Sequence, residues 1–192
     1  MEFADLAAFT IHDAKNRLAL VATRAEANGD AETLRGILES TASLTRLLAY
    51  YKAEKNSLGA EVDAWVPADL VNELLLDFSK QTKLTIRADL SAAPTLWFYD
   101  ESLVRMVLLN ALYNALRFAQ KNIIISAVDR NGWLEFMVAD DGAGFPPEQL
   151  AQQESMQSVS REGTGLGLYL ARRVAALHSN AGRTGRIELI NK

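Results

Sequence analysis

The chain has two histidines, and one of them, His12, stands in the run Phe9-Thr10-Ile11-His12-Asp13-Ala14-Lys15-Asn16-Arg17-Leu18. On a helix, Lys15 and Asn16 lie three and four positions further on and share the face of His12, while Asp13 sits about a third of a turn round. That face offers imidazole, ammonium and carboxamide. A neutral imidazole nitrogen is a good nucleophile toward phosphorus, and a cation at Lys15 disfavours the protonated ring while attracting a phosphate. The run reads as a phosphate-accepting surface, although by itself a solvated helix with an ordinary histidine is the simpler explanation.

Three further groupings could do chemistry. Asp140-Asp141-Gly142-Ala143-Gly144 places a carboxylate at a strand end before glycines. Such a carboxylate can accept a hydrogen bond from an exocyclic amine while the glycines let the backbone approach a ring. Gly163-Thr164-Gly165-Leu166-Gly167-Leu168 opens a helix, the form in which backbone N–H groups and a positive helix end meet phosphates. Asn110 and Asn114, one turn apart on an otherwise apolar helix, offer neutral oxygens to a hard cation such as Mg²⁺, which keeps several waters and binds substrate phosphates. Taken singly, each is equally a turn, a helix cap or a satisfied core amide.

The elements that must position these residues fall into two textures. Ala4, Ala7, Ile11, Ala14, Leu18, Val21 and Ala25 alternate spacings of three and four, the seam of a helix in a bundle, with His12 one step off it. Asn28-Gly29-Asp30 supplies a stop and a start, and Leu34, Ile37, Thr41, Leu44, Leu48 and Tyr51 repeat the seam. Two helices cannot enclose their own apolar surface, so the hairpin predicts a homodimeric four-helix bundle through residues 1–59. The break at 55–59 is the expected boundary. From residue 60 strand and helix signals alternate: strand 62–66, helix 67–80, strand 84–90, short strand 95–99, and a helix capped by Asp100 and running to 119. Strands 123–128 and 133–138 follow, joined through Arg130-Asn131-Gly132, then a polar stretch 146–162, a helix to about His178 and a last strand 186–190. The fold class is α+β, a helical hairpin followed by an α/β sandwich.

Composition narrows the chemistry. At 192 residues, with 49% hydrophobic and 23% charged residues, the chain has the makings of a packed core. A net charge of −4 without a Lys/Arg cluster argues against nucleic acid or an anionic membrane as partner. The absence of cysteine removes thiolate catalysis, disulfides and thiolate metal sites. The most apolar long run, residues 103–116, is interrupted by Arg105, Asn110 and Asn114, so no membrane span is expected and a cytoplasmic location is.

Order and spacing are more specific than any single motif. Asn114, then Asp140-x-Gly-x-Gly, then Gly-x-Gly-Leu-Gly-Leu resembles the nucleotide site of the Bergerat-fold ATPases, and His12-Asp13 ahead of a helical hairpin resembles the sensor histidine kinases in particular. The resemblance spans almost the whole chain. It implies ATP and Mg²⁺ as cofactors, with Asn114 as the Mg²⁺-binding asparagine, Asn110 as the preceding polar residue of that motif and Arg117 as a basic residue reaching the phosphates. It makes Asp140 the carboxylate that reads the adenine amino group. Gly142, Gly144, Gly163, Gly165, Leu166 and Gly167 become the loops bordering the nucleotide, and 146–162 the lid. It also implies that Asp13 orients and activates the imidazole and that Asn16 positions a water against a partner's aspartyl phosphate. Phosphoryl transfer from ATP to His12, and on to a response regulator, follows as the expected activity.

Within the fold, ATP-hydrolysing relatives place a glutamate base where this chain has Asn110, which cannot take a proton from water. The chain departs from the pattern in three places. Arg17 replaces a helix-kinking proline, the lid has Met156 in place of a phenylalanine-centred motif, and the family's return strand after 186–190 has no counterpart. The irregular lid and the shortened C-terminus leave a docking or phosphotransfer module without ATP chemistry as the alternative.

Overall fold

The computed structural model describes residues 3–54, 57–79, 82–151 and 166–191. The chain divides into two compact units, Met1–Leu58 and Gly59–Lys192.

The first unit is a helical hairpin of α1 (Phe3–Ala27) and α2 (Ala31–Glu54). Gly29 takes a left-handed φ of +68° at the turn, where the Asp30 N–H donates to the Ala25 carbonyl at 2.9 Å. Asp30 then caps the second helix, its Oδ1 accepting from the Thr33 N–H at 3.0 Å. α1 runs unbroken through Arg17, the position where a proline would kink it. Among the described side chains, the hairpin buries only Ala25, Ile37, Ala49 and Ala53. Val21, expected on the seam, is 45% exposed, beside Leu20 at 67%. One facing helix covers less of an apolar stripe than the seam spacing presents.

The second unit comprises β1 (Asp63–Trp65), α3 (Pro67–Ser79), β2 (Thr85–Asp89), β3 (Trp97–Tyr99), α4 (Glu101–Phe118), β4 (Asn122–Arg130), β5 (Trp133–Asp140), α5 (Pro147–Ala151), α6 (Leu166–Leu177), β6 (Ser179–Asn180) and β7 (Arg183–Thr184). A three-stranded sheet has the order β2-β4-β5, with β2 parallel and β5 antiparallel to β4, and β1 pairs separately with β3. Strand alternation orients the sheet. Ile123, Ile125 and Ala127 of β4 are wholly buried against Leu70, Val71, Leu74 and Phe78 of α3 and Leu108, Leu112 and Ala115 of α4. On β5 the partners of those three residues are Asp140, Val138 and Phe136. Asp140 therefore ends the row of side chains that faces the helices, and β5's period of two brings it there.

The β4–β5 hairpin turns through Asn131 and Gly132 at φ of +54° and +75°, as the Asn-Gly pair predicts. The strand expected at 186–190 does not form. Its residues alternate, with Ile187 and Leu189 half-buried and Arg186, Glu188 and Ile190 exposed, but among the described residues the segment joins none of the sheets. Alternation prepares a face, whereas a strand also needs a ladder partner. A small hairpin forms just before it instead, β6 with β7, turning through Ala181 and Gly182. The segment is held by side chains: the guanidiniums of Arg183 and Arg186 lie 5.5 and 5.4 Å from the centre of the Trp133 ring.

Candidate functional site

Helix α4 is the element on which the second unit's motifs converge. Asp100 starts it from a nearly buried position: Oδ1 accepts from the Leu103 N–H at 2.9 Å, and Oδ2 accepts from the Glu61 N–H at 2.8 Å. Leu108, Leu112 and Ala115 form the stripe turned to the sheet. Asn110, Asn114 and Arg117 are spaced four and three apart and form a second stripe, about half a turn from Leu108 and Leu112. Asn110 is half-buried and Asn114 exposed, and the Arg117 guanidinium lies over the ring of Phe118, 5.3 Å from its centre.

Helix α6 packs along α4 and is anchored at both ends. Gly167, Leu170, Ala171, Val174 and His178 recur at helical spacing, and a Cβ on Gly167 would collide with the carboxamide of Asn110. The missing side chain at Gly167 is what lets the start of α6 sit on the asparagine stripe. At the other end, His178 Nε2 accepts from the Asp100 backbone N–H at 2.9 Å, while its Nδ1 lies 2.7 Å from the Val174 carbonyl. A ring nitrogen facing a carbonyl must donate, so His178 is the Nδ1–H tautomer and is fully occupied in structure.

The turn after β5 meets the C-terminal end of the same helix. A Cβ on Gly142 would lie 2.5 Å from the Phe118 carbonyl oxygen and 2.6 Å from Asp140 Oδ1. Only glycine allows that approach. The Gly142 N–H donates to Asp140 Oδ1 at 2.8 Å, which sets the carboxylate beside the turn. Asp141 does different work. It accepts from the backbone N–H groups of Gln120, Lys121 and Asn122 at 2.8, 2.9 and 3.0 Å, and those bonds, Lys121's first, hold its carboxyl far below the usual range. It staples the loop between α4 and β4 to the end of β5. The two adjacent aspartates look equivalent in sequence and are separated by strand parity.

Three motifs that are far apart in sequence thus meet around the second half of α4: Asn110, the Asp140–Gly144 turn, and Leu166 and Gly167 at the start of α6. Gly163, Gly165 and residues 152–162 of the expected lid lie outside the described residues, and α5 is the described part of that stretch. In the hairpin, His12 is on α1, and its side chain is outside the described set. The Asp13 carboxylate pairs with Arg17 Nε at 3.0 Å across one turn, and Asn16 is exposed. Among the described residues no three His, Cys, Asp or Glu side chains gather into a cation cage, and no helix is long and apolar enough to cross a membrane.

Comparison with known proteins accords with this arrangement. Residues 99–191 match the family signature described as histidine kinase-, DNA gyrase B-, and HSP90-like ATPase. The chain is 28% identical over 175 residues to the sensor protein KdpD of Clostridium acetobutylicum, covering 84% of this chain, and 32% identical over 171 residues to the sensor protein TorS of Escherichia coli, covering 81%. It spans 19% of the length of each relative. The crystal structure of full-length ShkA in complex with AMPPNP shares the fold at a TM-score of 0.62 and 22% identity, over 95% of this chain and 43% of that one. Residues 99–191 thus carry a domain of the histidine kinase-, DNA gyrase B- and HSP90-like ATPase family, in a chain similar to sensor proteins such as KdpD and TorS.

Proposed function

We propose that the chain is a histidine kinase core that transfers the γ-phosphoryl group of ATP to His12 and then to an aspartate of a response regulator. The observation that carries the reading is the meeting of Asn110, the Asp140 turn and Gly167 around α4, in a chain that also carries His12 on a helical hairpin. Residues 60–192 act as the ATP-binding domain and 1–59 as the dimerising phosphoacceptor. Asp140 presents its carboxylate to the adenine amino group, and Gly142 and Gly144 let the backbone border the ring. Leu166 and Gly167 at the N-terminal end of α6, which Gly163 and Gly165 precede in sequence, would border the phosphates together with Arg117. Asn114 offers a hard carboxamide oxygen suited to Mg²⁺, and with no carboxylate cage among the described residues the ion would take its other ligands from phosphate and water. Bound there, it would neutralise phosphate charge.

His12 supplies the nucleophilic ring nitrogen. The new N–P bond forms as the β–γ bridging P–O bond breaks and ADP leaves, and Asp13 stabilises the charge that develops on the imidazole. Asn110 has no proton-accepting carboxylate, which favours transfer over hydrolysis. Asn16 shares the His12 face and serves the reverse duty, holding a water against the partner's aspartyl phosphate. Incubation with Mg-ATP should leave an acid-labile, alkali-stable phosphoryl group that His12→Gln removes. Label persisting in that variant would overturn the assignment. Asn114→Ala should lose Mg²⁺-dependent nucleotide binding, and equal affinity in both proteins would show that another residue holds the ion.

A further inference from the structure

The side chain of Asn191 makes two hydrogen bonds to a single backbone residue at the exit of the Asp140–Gly144 turn. Its Oδ1 accepts from the Phe145 N–H at 2.8 Å, and its Nδ2 donates to the Phe145 carbonyl at 2.9 Å. A residue of a neighbouring strand would satisfy Phe145 in the same way, with one donor and one acceptor. The pair also settles the orientation of the amide, because the reversed carboxamide would set donor against donor and acceptor against acceptor.

Gly144 points to the same clamp independently. Its φ is +77°, and a Cβ there would lie 2.7 Å from Asn191 Oδ1. The residue next to the clamped one has therefore both a backbone conformation and a clearance that suit glycine, and the clearance is set by Asn191. The turn from Asp140 to Phe145 is tied at its start by the three backbone N–H groups that donate to Asp141 and at its end by Asn191. Between these ties lie Gly142 and Gly144, read above as bordering the nucleotide. A glycine turn left untied would have to be ordered at the moment of binding, and that ordering would weaken affinity.

We propose that Asn191 is a positioning residue of the nucleotide site: it holds the exit of the turn so that the Asp140 carboxylate and the glycine backbone are set before a nucleotide arrives. The proposal rests on reading the second unit as an ATP site. It gives the last described segment, which joins no sheet, a part in that site.

The test uses the full chain with ADP as probe. Wild type, Asn191→Ala and Asn191→Asp are compared by calorimetric titration, and exchange of the Phe145 amide is followed by NMR without nucleotide. Asn191→Ala should weaken ADP by about threefold to tenfold, the span of roughly one net hydrogen bond, and should speed Phe145 exchange. Asn191→Asp keeps an acceptor for the N–H but turns a carboxylate oxygen toward the Phe145 carbonyl, so it should weaken ADP at least as much. A purely structural side chain would lower the melting temperature and leave ADP affinity of the folded protein unchanged. Wild-type affinity in either variant overturns the proposal. If wild type itself binds no ADP, the nucleotide reading fails, and Phe145 exchange still decides the clamp: faster in Asn191→Ala supports it, unchanged overturns it.

Discussion

Asp140 and Asp141 show how much one position matters at the scale of a residue. Both are exposed, yet Asp141 collects the N–H groups of Gln120, Lys121 and Asn122, and Asp140 collects that of Gly142. The bonds to Asp141 favour its charged form, so its folded-state pKa lies below that of the unfolded chain. The sign of the linkage follows. The stabilising contribution is present above the unfolded value, near 3.9, and is lost as pH falls from there toward the folded value. Asp141→Asn should therefore be less stable than wild type at pH 7, and the gap should narrow below about pH 4. Urea midpoints of both proteins across that range check it. A gap that stays constant down to the acid end would show that the carboxylate's charge is not what the loop requires. Asp13 and Arg17 contrast with this, since their side chains are 50% and 78% exposed and such a pair adds little to stability.

At the scale of elements, the site depends on how α6 lies on α4. Gly167 against Asn110 fixes one end, and His178 on the Asp100 N–H fixes the other. Asp100 is 7% exposed and also receives Glu61 and Leu103, so the beginning of α4, the approach to β1 and the end of α6 meet on one residue. Replacing His178 by Ala strands the Asp100 N–H and frees the Val174 carbonyl, for which a loss of about 1–3 kcal/mol is expected in urea unfolding. An unchanged midpoint would mean that water replaces the imidazole without cost. The same anchor explains why a histidine at a helix end has no part in the chemistry: both ring nitrogens are committed to backbone.

At the scale of the whole molecule, each unit is compact in itself, but they differ in how much apolar surface they bury. The second unit encloses a core across α3, α4, β3 and β4. The hairpin leaves Phe9 at 72%, Leu20 at 67% and Leu47 at 46% exposed. That supports the proposal that the hairpin is half of a dimeric bundle. The full chain should sediment as a dimer at roughly tens of micromolar, and Leu20→Glu with Leu47→Glu should shift it to monomer, because each carboxylate would be buried in the partner contact. A wild-type monomer at that concentration would overturn the dimer, and a variant that still dimerises would place the association elsewhere.

The sequence by itself determined what local rules govern. The helix spacings, the Asp30 and Asp100 caps, the Asn131-Gly132 turn and the alternation of β4 and β5 follow from periodicity and short-range chemistry, and the observed elements carry them within a few residues. The candidate nucleotide residues were legible as motifs because glycine and aspartate spacing around a turn is written in neighbouring letters. Tertiary structure decided the rest. Strand 186–190 alternates as a strand does, but whether it pairs depends on a ladder partner that no local pattern encodes. Asn191 reads as an ordinary polar residue until it stands 2.8 Å from a backbone N–H 46 positions earlier. The contrast between Asp140 and Asp141 likewise required the β4–β5 register, because a shift of one residue would exchange their faces.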